Sequence, residues 1–351
     1  MYKKINKINF IFIIIGVVCF LFVGLFPVHG DFLLLSAAIK YFIKFKRIEL
    51  ILEPSFWLIV IASTFISKFL IISPIRLLII FYSILGVFLT LYAIRKISYF
   101  PILALIVYLC VSYYLHQFSM AREGLASAVF MLAIPDIVNK NFKSYLIKTV
   151  IATLFHYSAF IMIFAYFVNI KETKIFEFLL YIFLPFIGMF LYLKGVGELI
   201  IIHILPYLPI FLSGKLIGYM KHKGLKHFDI HGITILGFMV IYYFFIFNFK
   251  KIKNPLDKVL VKLLGWLIFI FYTFAFLPVI SGRMDTQFGF GAIIILLLPD
   301  LVFLIKQKKL AYALVVLYSI LIFADIVIVH KIGSNPYNNI HFIFSYIKNG
   351  L

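Results

Sequence analysis

Apolar runs long enough to cross a bilayer alternate along this chain with short polar stretches. A transmembrane helix needs about 20 apolar residues, within a range of roughly 17–25. Runs of that kind fall near 9–28, 54–72, 76–94, 99–116, 122–138, 146–168, 175–193, 196–212, 230–249, 263–280, 285–305 and 310–330. The segment 32–45 is apolar but short and broken by Lys40 and Lys44, which predicts an interfacial helix or a short crossing. The segment 196–212 carries Glu198, His203, Pro206 and Pro209, a pattern of a broken or re-entrant helix. The fold expected is an all-α, polytopic transmembrane helical bundle of about 11–13 spans. Its loops are short, no soluble domain is expected, and residues 1–351 read as a single integral membrane domain.

Composition strengthens that picture. The residues are 64% hydrophobic and 13% charged, with mean hydropathy +1.12; soluble domains carry about a quarter charged residues. Lys3, Lys4 and Lys7 before the run from Phe10 to Phe26 imitate a signal peptide. No small-residue cleavage site follows, and Val18 precedes Cys19, so an uncleaved first span is expected. Cys19 and Cys110 both lie in apolar runs and read as small buried hydrophobes, not as a disulfide or a metal site.

The net charge of +20 would suggest nucleic acid in a soluble protein. Here the basic residues crowd the short loops, where they set topology and meet anionic headgroups, and no nucleic-acid partner is expected. Lys40/Lys44/Lys46/Arg47, Arg95/Lys96, Lys140/Lys143/Lys148, Lys250/Lys251/Lys253/Lys258 and Lys306/Lys308/Lys309 fall on one side, which the positive-inside rule makes cytoplasmic. The outer face then receives Arg122-Glu123, Lys171–Lys174, the loop 213–229 and Arg283.

The candidate chemistry centres on Arg122-Glu123, in His116-Gln117-Phe118-Ser119-Met120-Ala121-Arg122-Glu123-Gly124. A charge at membrane depth costs about 2.5–3.5 kcal/mol on translocon scales, so it is seldom kept without a partner or a ligand. A structural ion pair or snorkelling would also account for Arg122. Glu123 is a poor direct partner, because adjacent helical residues point about 100° apart. A guanidinium is the natural clamp for phosphate or diphosphate, being planar, permanently charged and bidentate. Arg283, in Gly282-Arg283-Met284-Asp285, sits at a helix junction on the same face. His156 lies within the neighbouring run, and Asp31 follows the first span. Arg122, Arg283, His156 and Glu123 are the expected catalytic group; Asp31, Asp285, Ser119 and Gln117 are the expected substrate contacts. No Gly-rich phosphate loop, nucleophile elbow or His/Cys cluster occurs, so neither cofactor nor metal is expected.

Read in order, Gly30-Asp31, Glu53-Pro54-Ser55-Phe56, Phe118-Ser119-Met120-Ala121-Arg122-Glu123-Gly124-Leu125-Ala126, Leu154-Phe155-His156-Tyr157-Ser158-Ala159, Arg283 and Asn335-Pro336-Tyr337 resemble the EpsG family of bacterial polysaccharide polymerases. Two positions depart from the family pattern. His29 stands where an arginine is common before Gly-Asp, and Glu123 where Gln often follows the key arginine. The resemblance implies a Wzy-type polymerase at the outer face of the bacterial inner membrane. Such an enzyme transfers a growing glycan from its undecaprenyl diphosphate to the next lipid-linked oligosaccharide. The product would be O-antigen, capsule or exopolysaccharide, and the implied partners are the bilayer, a chain-length regulator and a flippase. Competing readings are an O-antigen ligase, a glycosyltransferase using a polyprenyl monophosphate donor, and a lipid-linked glycan flippase. The modest loop 213–229 argues against the ligase, and the lack of two repeated halves argues against the flippase.

Overall fold

A computed structural model describes residues 2–25, 31–45, 52–168, 174–207 and 233–326, with single positions 213, 217 and 220. Among the described residues every regular element is a helix. In order they are α1 (Tyr2–Leu25), α2 (Asp31–Phe45), α3 (Pro54–Ile66), α4 (Pro74–Ile97) and α5 (Pro101–Phe118). Then come α6 (Ala121–Val138), α7 (Phe142–Phe155), α8 (Met162–Ala165), α9 (Ile175–Leu193) and α10 (Val196–Ile204). The last four are α11 (Ile233–Phe247), α12 (Pro255–Thr273), α13 (Ile280–Leu304) and α14 (Lys308–Ala324). Proline opens α3, α4, α5 and α12, where its missing N–H costs nothing and its fixed φ suits the first turn. The side chains of Ser73, Asn141 and Asn254 accept from backbone N–H groups at the starts of α4, α7 and α12.

By length and composition α4, α5, α9 and α13 can each cross a membrane. They differ in position. The apolar window of α13 is 89% buried, which makes it the central post; that of α9 is 22% buried, which puts it at the lipid-facing edge. α6 runs parallel to α13, because Ser127 bonds the Gln287 carbonyl at 2.8 Å and the Phe130 and Phe288 rings meet at 5.3 Å. α1 runs antiparallel to α4, with Asn9 accepting from Arg95 at 2.9 Å.

The segment 146–168 does not form one crossing. α7 rises to Phe155, the chain turns at His156, and a 3-10 stretch, Tyr157–Ile161, leads down into α8. Tyr145 donates to the Met162 carbonyl at 2.5 Å, and the Phe142 and Tyr166 rings lie 5.0 Å apart. The segment is a hairpin that returns to the side it left. An apolar run long enough to span carries no mark of its turn except the polar residue at the tip.

That hairpin moves Lys174 to the side of Phe142. The direction of α9 agrees, for α9 lies parallel to α12. Glu177 pairs with Lys262 at 2.9 Å, and a Cβ on Gly188 would stand 2.6 Å from the Phe269 carbonyl oxygen. Both helices start on the basic face, so Lys174 joins that face instead of the outer one. The rest of that expected outer loop, residues 171–173, lies outside the described residues. The segment 196–212 contributes the nine-residue α10 and a short 3-10 turn, Leu205–Tyr207. In α2 the Phe42 ring meets Trp57 at 5.9 Å, one turn from Glu53. The end of α2 that carries Lys44 therefore packs beside the start of α3.

Candidate active site

Three chain breaks converge. Glu53 is the N-cap of α3, Met120 is the non-helical corner between α5 and α6, and His156 is the tip of the hairpin. At each a helix or 3-10 stretch begins, so N–H ends gather where the polar side chains lie. Two of the surrounding helices also carry π-helical turns, Tyr108–Tyr113 and Leu115–Ser119 in α5 and Met284–Ile293 in α13. Such turns are frequent at functional sites.

The first cluster is built on Glu53, whose carboxylate bonds Arg122 and, at 3.0 Å, Nδ1 of His156. Glu53 is 2% exposed. Burial alone would raise its carboxyl, but the His156 hydrogen bond and the Arg122 charge outweigh burial and hold it at about 2. Glu53 is thus an anion, and an anion only accepts. Nδ1 of His156 must carry the proton that meets Glu53, so in the tautomer that acts as a base the basic nitrogen is Nε2.

The second cluster is built on Glu123, 1% exposed. It pairs with Arg283, accepts from the Thr286 hydroxyl, and lies 3.8 Å from Nε2 of His116. His116 is held from behind by Ser112, 2.7 Å from Nδ1. Gly124 lets this ring approach, since a Cβ there would stand 2.6 Å from Cβ of His116. Arg283 also reaches the sulfur of Met120 at 3.7 Å. The clusters are stitched together by Ser127, which bonds the carbonyls of Glu123 and Gln287 at 2.8 Å, and by Ser158, which bonds the Gln287 side chain.

Each cluster is one arginine, one glutamate and one histidine. With neutral imidazoles the four charged groups sum to zero, which is why the bundle tolerates them at this burial. Each guanidinium is held by its carboxylate through Nη1.

Of the expected catalytic residues, Arg122, Arg283, His156 and Glu123 are all brought together here. The expected substrate contacts fare differently. Gln117 is buried and turned to α4, where its amide occupies the space a Cβ on Gly86 would need. Asp285 is half-buried, with Asp325 and Tyr318 as electrostatic neighbours. Asp31 is the first residue of α2, but its side chain and that of Ser119 lie outside the described ones, as do His29, Gly30 and Asn335-Pro336-Tyr337. In the sequence Glu53 stands out only within a motif, Gln287 only as a polar neighbour of Arg283, and His116 and Thr286 carry no assigned role. Glu53 carried a signal, an acid set directly before a helix-opening proline and an apolar run.

Fold and site together define a multi-pass helical membrane protein with an ionic centre enclosed by broken helices. A family model described as EpsG family matches residues 39–339. The chain belongs to the EpsG family, the family of exopolysaccharide and O-antigen polymerase-type proteins. No curated protein and no solved structure matches it.

Proposed function

We propose that this protein polymerises undecaprenyl-diphosphate-linked oligosaccharide repeat units at the outer face of the bacterial inner membrane. Family membership supports the polymerase class. The observation that carries the reading further is the paired arrangement of Arg122 and Arg283, each held by its own buried glutamate beside a histidine.

In this reading the donor glycan is bound through its anomeric carbon to a lipid diphosphate. An acceptor sugar hydroxyl attacks that carbon, the carbon–oxygen bond to diphosphate breaks, and the lipid diphosphate departs. Arg122 and Arg283 stabilise the departing charge, a task that preorganised cations perform in a water-poor site. Nε2 of His156 takes the hydroxyl proton, with Glu53 steadying the imidazolium that results, the role a carboxylate plays behind a histidine base. Glu123 orients Arg283. The outer face follows from setting the basic clusters in the cytoplasm. A flippase supplying the units and a regulator of chain length are the partners this reaction would need.

The test is a glycan gel from a deletion strain carrying wild-type, Arg122→Ala or Arg283→Ala protein, with membrane levels checked by blot. Wild type should restore a ladder, and each variant should leave single repeat units. A ladder that persists with both variants makes the arginines structural. Loss of even the single surface unit on deletion would place the protein before polymerisation.

A further inference from the structure

A cavity of about 680 Å³ lies between the 142–168 hairpin, α9 and α12. Its walls include Met162, Ala165, Leu184, Leu267, Ile270 and Phe288. The acid in its wall, Glu177, is held by Lys262 at 2.9 Å, toward the basic face. Along α12 the lining runs from Leu263 to Phe274, about 16 Å at the helical rise. The volume is that of a real ligand site, which runs to roughly 300–1,000 Å³.

Two features define what fits. Met284 and Phe288 of α13 line the cavity, and they adjoin Arg283 and Gln287 in sequence, so the apolar space shares a wall with the ionic centre. The other feature is the outer wall. Phe164 and Phe167 are 67% and 72% exposed on the surface that faces lipid, so a chain can enter sideways from the bilayer. An apolar cavity of this kind does not hold water and accepts hydrocarbon. A molecule matching both halves has a long apolar tail and an anionic head lying below the headgroup plane. An ordinary phospholipid keeps its phosphate at the interface, away from an arginine such as Arg122 that is buried among helices.

We infer that this cavity seats the isoprenoid chain of the lipid-linked substrate, with the diphosphate at Arg122 and Arg283. The identity of the head rests on the proposed function; the apolar seat does not.

The experiment uses the full chain in nanodiscs and polyprenyl diphosphate bearing a diazirine on an isoprene unit near the head, with no glycan attached. Crosslinks mapped by mass spectrometry should fall on the hairpin and α12. Excess unlabelled polyprenyl diphosphate should reduce them about tenfold, and the same excess of phosphatidylglycerol should not. Leu267→Trp and, independently, Leu184→Trp should each cut labelling about fivefold at equal protein level by filling the space. Labelling spread over lipid-facing helices, equal competition by phosphatidylglycerol, or indifference to both fillings would overturn the inference. The probe makes no polymer, so the two readings separate. A labelled cavity in a protein whose deletion spares the ladder sinks the proposed function alone. A deletion that loses the ladder, with no label in the cavity, sinks this inference alone.

Discussion

Arg122 is bonded to a carboxylate 69 residues earlier in the chain, and Glu123, its neighbour, to an arginine far later. The expectation that adjacent residues cannot pair across a helix is met by each finding another partner. That geometry makes Arg122 sensitive to more than its charge. Arg122→Lys should leave single repeat units on the glycan gel, as is expected of Arg122→Ala, because an ammonium lacks the planar fork. A ladder of normal length in the Lys variant would remove the clamp from the mechanism. Glu53→Gln leaves a buried guanidinium without its anion, which costs about 3–5 kcal/mol. It should appear as a lowered melting temperature in detergent. The double variant Glu53→Gln/Arg122→Gln should recover most of that stability and still make no polymer. If Glu53→Gln alone melts with wild type, the pair does not hold the fold. Acid titration tests the same residue from the other side. The folded carboxyl titrates at about 2 against an ordinary 4.5. Its contribution to stability is therefore complete above about 4.5 and lost as the pH falls through 2. Wild type should lose melting temperature across that window, and Glu53→Gln should lack this component of the slope.

Helices here are set apart or drawn together by single glycines. At Gly188 the α9 backbone meets the Phe269 carbonyl of α12 so closely that a Cβ would stand 2.6 Å from the oxygen. Small residues at such crossings let membrane helices pack by backbone contact. Gly188→Leu should cost about 1–3 kcal/mol by overpacking, read as a drop in detergent melting temperature. Gly124→Ala should act differently. Its methyl would press on His116 Cβ, so polymer length should fall while the protein remains in the membrane at normal level. A normal ladder would show that the ring has room to move. Elements of this kind were only partly legible in the sequence. The apolar runs marked depth and fell within two residues of the starts of α3 and α4, whereas α12 begins at Pro255, ahead of the expected run 263–280. The turn at His156 was not legible, because a hairpin and a crossing have the same hydropathy. Nor was the Glu53–Arg122 bond, since nothing local in a sequence tells which of several acids a distant arginine will meet.

For the whole molecule the hairpin changes which loops share a face. Lys140 and Lys174 belong together, whereas reading 146–168 as a crossing separates them. In a protein with Cys19 and Cys110 replaced by serine, single cysteines at Lys140, Lys174 and Lys68 can be probed from outside with a membrane-impermeant maleimide. Labelling at Lys68 with protection at both Lys140 and Lys174 is expected, and labelling at Lys174 would restore the crossing. Of the candidate residues the sequence offered, Arg122, Arg283, His156 and Glu123 are brought together; what the structure adds is Glu53, His116 and the division into two clusters. That division bears on how the molecule can move. A helix tethered by one ion pair can swivel about its own axis. α6 is tethered by two, through neighbouring side chains about 100° apart around that axis. Turning it either way stretches one bond or the other. α6 is thereby locked against rotation, with α3 held on one side of it and α13 on the other.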